Sequence, residues 1–135
     1  MNAFTKLGLI MLVIGLALGA CAGGDGGDDN TVAMQSGQRF EPETLTVSAG
    51  TTVTFVNDSD EGHTVTGYEE ELPEGAPFFS SGGFESEDGA RDDVAGGLLS
   101  AGEEFEVTFD QPGTYGYFCI PHEGSNMTGS VEVEE

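Results

Sequence analysis

The sequence predicts an all-β domain, an antiparallel β-sandwich, preceded by a leader and a linker. Three observations lead there. Short β-rich segments recur between clusters of turn residues. No stretch beyond the leader carries the apolar period of a long amphipathic helix. The segment from Glu103 to Phe109 alternates cleanly, with Phe105, Val107 and Phe109 on one face.

Residues 1–20 read as a signal peptide. Met1 to Lys6 carries one positive charge, and Leu7 to Ala20 is an uncharged apolar run. That run is shorter than the roughly 18–20 residues needed to span a bilayer. It ends in Leu18-Gly19-Ala20-Cys21, which resembles a lipobox. Cleavage there leaves Cys21 as the first mature residue, carrying lipid on its sulfur. No twin arginine precedes it. Residues 21–37 are rich in Gly, Asp, Asn and Ser, with almost nothing to bury, and are expected to form a flexible acidic tether.

Residues 38–135 are long enough for a single core. Phe40, Leu45 and Val47 belong to a first pair of strands kinked at Pro42, and Ser48-Ala49-Gly50 turns into Thr51–Val56. Asn57 to Gly62 is a loop leading to the strand-like His63–Thr66. Tyr68 to Leu99, acid-rich and broken by Pro73 and Pro77, reads as an irregular connection with one short helix or strand. Phe78 and Phe79 are expected to pin it to the core. Gln111-Pro112-Gly113 turns into Thr114–Cys119, and Gly129–Val133 closes the sheet.

The charge is extreme. The chain of 135 residues has a formal net charge of −22, and all 25 Asp and Glu lie beyond Cys21, where only Arg39 and Arg91 oppose them. Nucleic acid is excluded as a partner, because phosphate binding needs a basic face. The spread of acid along the whole chain, with no lysine after Lys6, points to a surface suited to a salt-saturated medium rather than to one steering patch.

The two cysteines divide by position. A lipidated Cys21 cannot form a disulfide, which leaves Cys119 as a lone thiol in an exported, oxidising setting. Metal ligation accounts for it. Cys119-Ile120-Pro121-His122-Glu123-Gly124-Ser125-Asn126-Met127 places a thiolate, an imidazole and a thioether within nine residues, and His63 is the only other histidine. Two imidazoles, a thiolate and a long axial thioether suit an ion that alternates between Cu(I) and Cu(II). Pro121 stiffens the loop by fixing φ, and Gly124 is expected to help it curl so that Met127 approaches axially. Singly, His63 reads as a surface histidine, Met127 as core filling and Cys119 as a small hydrophobe. The joint C-x2-H-x4-M spacing after a strand makes the copper reading the stronger one.

On these residues the chain resembles the plastocyanin-like blue copper proteins, or cupredoxins, and among them the halocyanins of salt-loving archaea. The likeness runs through Gln38–Pro42, Val53–Asn57, His63–Val65, Gly113–Tyr115 and Cys119–Glu123. It implies a Greek-key β-sandwich of about eight strands, one type 1 copper held by His63, Cys119, His122 and Met127, and electron transfer through the exposed edge of His122. The electron-transfer patch around that edge would comprise His122, Pro121 and Phe118, the last as an aromatic bridge. Three positions depart from the family. Thr64 stands where Asn commonly braces the copper loop, Phe118 replaces a Tyr that serves as a remote electron portal, and Ser125-Asn126 is unusually polar. Tyr115 resembles a tyrosine corner.

The expected function is one-electron transfer between membrane-bound or peripheral redox proteins, by a monomer lipid-anchored on the extracytoplasmic face of the cell membrane. Copper storage or delivery is the alternative. An enzyme is not expected, because a second copper centre needs several more histidines than the two in this chain.

Overall fold

The computed structural model describes residues 30–135, which form two packed four-stranded sheets. One sheet has the order β2-β1-β4-β6, built from β1 (Thr31–Gln35), β2 (Arg39–Glu41), β4 (Thr51–Asp58) and β6 (Glu104–Phe109). The other has the order β3-β8-β7-β5, built from β3 (Thr44–Ser48), β8 (Thr128–Glu134), β7 (Gly113–Phe118) and β5 (Thr66–Gly67).

Period-two patterning puts the core between the sheets. In β4, Val53, Phe55 and Asn57 are buried, while Thr52 and Asp58 face solvent. In β6 the inward set is Phe105, Val107 and Phe109, as its alternation predicts. Aromatic rings fill the centre edge to face: Tyr117 meets Phe40 at 4.8 Å and Phe55 at 5.1 Å between ring centroids. The Tyr115 hydroxyl donates to the Gln111 carbonyl at 2.7 Å, which makes it the tyrosine corner expected.

The sandwich is not wholly antiparallel. β1 runs parallel to β4, and β3 runs parallel to β8. The chain first changes sheets after β2. The kink expected at Pro42 is where that change occurs, between β2 in one sheet and β3 in the other.

A second correction concerns the tether. Residues 31–37, expected within it, form β1 and the turn into β2. Val32 and Met34 alternate inward and are fully buried, a phase hidden by the glycine and aspartate just before them. Gly37 (φ +90°) and Gln38 (φ +58°) make the turn. The leader, Cys21 and the tether as far as residue 29 lie outside the described residues.

Where one short helix or strand was expected, the acid-rich connection holds a 3-10 turn (Glu69–Glu71) and two very short α-helices, α1 (Glu87–Asp92) and α2 (Val94–Gly97). Neither is long enough to persist alone. Ser86 caps the first by accepting from the Gly89 N–H at 3.1 Å, and Asp93 caps the second by accepting from the Gly96 N–H at 3.0 Å. Phe79 does pin the connection, packing edge to face on Phe109 at 5.5 Å.

A chain beginning at residue 38 is therefore expected to unfold well below one beginning at residue 30. It loses two buried side chains worth about 1.5–3 kcal/mol each and exposes the edge of β4. Thermal melts of the two proteins, followed by circular dichroism, check this.

Candidate metal centre

The centre forms where the chain passes between the sheets. His63 lies on the crossing from β4 to β5, fixed by a backbone bridge in which its N–H donates to the Leu99 carbonyl at 3.2 Å and its carbonyl accepts from the Leu99 N–H at 2.7 Å. Cys119 directly follows β7. A 3-10 turn over Ile120–Ser125, started by Pro121, then presents His122.

The turn ends at Asn126, whose φ of +64° is left-handed. The reversal expected at Gly124 thus falls two residues later, on one of the two polar residues that set this loop apart. Asparagine is among the few residues that adopt this conformation readily. Behind it the Met127 N–H donates to the His122 carbonyl at 3.2 Å, and the Cys119 N–H donates to the Met127 carbonyl at 3.0 Å. Backbone bonds therefore hold Cys119, His122 and Met127 together whatever occupies the site.

The three nitrogen and sulfur ligand atoms converge. His63 Nδ1 and His122 Nδ1 are 3.1 Å apart, and Cys119 Sγ lies 3.4 Å from His122 Nδ1 and 3.7 Å from His63 Nδ1. A triangle with these edges has a circumradius of about 2 Å, the length of an imidazole–metal bond. His63, Cys119 and Met127 are fully buried, and Met127 closes the same loop. The donor set and its dimensions fit one copper ion.

Supporting side chains fix these ligands. His63 Nε2 sits 2.9 Å from Ser59 Oγ. With its proton given to Asn57 Oδ1 at 2.8 Å, that hydroxyl can accept both from the Glu61 N–H at 3.2 Å and from a proton on Nε2, the tautomer that metal ligation through Nδ1 requires. Nδ1 is thereby left with a free lone pair facing the centre. Asn57 Nδ2 donates to the carbonyls of Glu61 (2.6 Å) and Leu99 (2.9 Å), joining both segments that flank His63. Thr64 takes the bracing role: its N–H donates to Cys119 Sγ at 3.4 Å, and its hydroxyl accepts from the Ile120 N–H at 2.8 Å.

Ser59 and Asn57 were not singled out by sequence. Asn57 left a signal, since it falls in phase with the inward-facing Val53 and Phe55. Ser59 left none.

At the surface, His122 keeps 16% of its side chain exposed, beside an exposed Pro121. Leu98, the one exposed large hydrophobic among the described residues, packs beside Gly62 next to His63. Its place beside Gly62 was not legible, because it comes from the far end of the acidic connection. Phe118 is not on the surface as its assignment to the patch implied. It is fully buried, stacked under Tyr68 at 4.1 Å with the Arg91 guanidinium 4.5 Å from its ring centre. Glu61 holds a carboxylate oxygen 4.0 Å from His122 Nε2.

Burial raises the Cys119 thiol above its usual range, against the hydrogen bonds from Thr64 and His122 that favour the anion. Burial, then the neighbouring His122, lowers His63, with Glu61 opposing weakly. The metal-free centre thus holds a neutral imidazole at position 63 and a protonated thiol at neutral pH. Copper binding is expected to release about one proton from Cys119, so affinity should rise about tenfold per pH unit between pH 7 and 8. Titrations in buffers of different ionisation enthalpy read the proton count. Ser59→Ala is expected to weaken copper binding about 10–100-fold, measured by competition with a chelator.

Residues 28–134 match the family of copper-binding proteins described as plastocyanin/azurin. The chain is 39% identical over 95 residues to a plastocyanin of Scenedesmus fuscus, an alignment covering 70% of this chain and 86% of that one. The oxidised plastocyanin of the fern Dryopteris crassirhizoma superposes with a TM-score of 0.55 at 32% identity, covering 77% of this chain and 99% of the fern protein. A copper-containing nitrite reductase from Thermus scotoductus superposes with a TM-score of 0.57 at 29% identity over 78% of this chain, but only 22% of that enzyme is covered. With its paired sheets, and with His63, Cys119 and His122 converging on a loop closed by a buried Met127, the chain belongs to the plastocyanin/azurin family of copper-binding proteins.

Proposed function

We propose that this protein is a one-electron carrier working through a single type 1 copper ion bound by His63, Cys119, His122 and Met127. The observation that carries this reading is the asymmetry of the four-ligand set: His63, Cys119 and Met127 are fully buried, and His122 alone reaches the surface. Copper, when bound, supplies the Cu(I)/Cu(II) couple. The buried ligands keep water from the centre, and the His122 edge is the shortest route to a partner. The exposed Pro121 next to it gives that route an apolar neighbour, while Glu61 places one carboxylate beside it. Both histidines of the chain are spent on this centre, which supports a carrier rather than an enzyme.

The donor and acceptor are membrane-bound or peripheral redox proteins, met by a monomer tethered through lipid on Cys21 to the outer face of the cell membrane. The lipobox-like Leu18–Cys21 and the charge-free run before it support this. The net charge of −22 supports a halocyanin-type protein of a saline medium, where the Debye length is about 3 Å at 1 M salt. Docking there rests on contact around His122 rather than on long-range attraction.

Copper-loaded protein is expected to show an intense thiolate-to-copper band that Cys119→Ser abolishes while the apo domain still folds. A retained band would overturn the ligand assignment, and colourless binding of Cu(I) alone would indicate storage or delivery. Raising KCl from dilute buffer to molar concentration is expected to raise Tm by about 5 °C or more, the shift about 1 kcal/mol produces in a domain of this size. An unchanged Tm would remove the halophile reading.

A further inference from the structure

We infer that Arg91, far from the ligands in sequence, is a positioning residue of the metal centre: reaching out from α1, it holds the ligand loop through Glu123, the neighbour of His122. The inference rests on the copper reading above and extends it to the acidic connection.

The guanidinium grips Glu123 with both arms, Nη1 to Oε2 at 2.7 Å and Nη2 to Oε1 at 3.1 Å. It also donates to Glu87 Oε1 from Nε at 3.0 Å and from Nη2 at 2.7 Å. Its plane lies 4.5 Å from the centre of the Phe118 ring. Tyr68 completes the bracket, stacking on Phe118 and donating its hydroxyl to Glu123 Oε1 at 3.1 Å. The residues gripped are Phe118 and Glu123, one immediately before Cys119 and one immediately after His122.

The bracket is itself anchored. The Glu69 N–H donates to Glu87 at 3.1 Å, and the Glu87 N–H donates to Glu69 at 2.8 Å. That reciprocal pair joins the start of α1 to the segment following β5. Force on Glu123 is thereby passed to the sheet rather than to a loose loop. Among the described residues, Arg91 is the only arginine that bonds a carboxylate; Arg39 reaches only Gln35 Oε1, at 3.4 Å. A planar fork is required here, because an ammonium cannot bond one carboxylate with two arms while lying over a ring.

The test uses the full chain and five variants: Arg91→Gln, Arg91→Lys, Glu123→Gln, the double variant Arg91→Gln/Glu123→Gln and the control Arg39→Gln. Copper release to a competing chelator is expected to accelerate about 10–100-fold in Arg91→Gln and Glu123→Gln, with a displaced thiolate-to-copper band. The Arg91→Lys variant should recover little of this, and Arg39→Gln should stay within about twofold of the parent. The double variant Arg91→Gln/Glu123→Gln should be no worse than either single one, since both break the same contact. In the metal-free protein, amide exchange at residues 120–127 should quicken with the Arg91 and Glu123 variants. Folded Arg91→Gln or Glu123→Gln protein with the parent's release rate, band position and amide exchange would overturn the assignment. If the parent takes up no copper, the copper reading fails, and amide exchange alone decides whether the bracket holds the loop.

Discussion

Thr64 makes the two bonds on which the centre depends. Its N–H reaches the Cys119 sulfur and its hydroxyl receives the Ile120 N–H, joining segments 55 and 56 residues apart in sequence. Without that join, the crossing that carries His63 and the loop that carries the other ligands would meet only through side chains. A hydrogen bond to a charged group contributes about 1.5–3 kcal/mol, so the bond to sulfur strengthens when the thiol becomes a thiolate. The same contact orients the ligand and favours the protonation state that metal requires.

Everything else in the sandwich serves to bring Thr64 to that place. β1 pairs parallel with β4 in one sheet and β3 parallel with β8 in the other, which fixes the register within each sheet. Asn57, buried at the end of β4, then turns the chain by satisfying the carbonyls of Glu61 and Leu99. Ser59 orients His63, and Asn126 returns the chain so that Met127 closes the loop. The rigidity suits electron transfer, in which little may move between two oxidation states. Burial of three ligands supplies the low dielectric, and one exposed imidazole supplies the exit.

Much of this was legible in sequence, and what was not has physical causes. The four ligands were readable because their chemistry is rare and their spacing tight. β6 and the tyrosine corner were readable because alternation and turn residues are local signals. β1 was missed because five residues of weak alternation follow a run of glycine and aspartate. The two short helices carry no periodic signal, and their capping residues, Ser86 and Asp93, resemble ordinary loop residues. Phe118 was assigned to the electron-transfer patch through the family resemblance, yet Tyr68 and Arg91 from the distant connection cover it. Ser59 acts only through a contact made by folding. Contacts between remote segments leave no mark on either segment alone.

If the fold, rather than the metal, sets the ligand geometry, that geometry stays constant through the redox cycle. Copper X-ray absorption on the oxidised and reduced protein tests this most directly. The expected result is two nitrogen neighbours at about 2 Å and one short sulfur in both states. Loss of a nitrogen on reduction, or a coordination sphere without sulfur in either state, would contradict it.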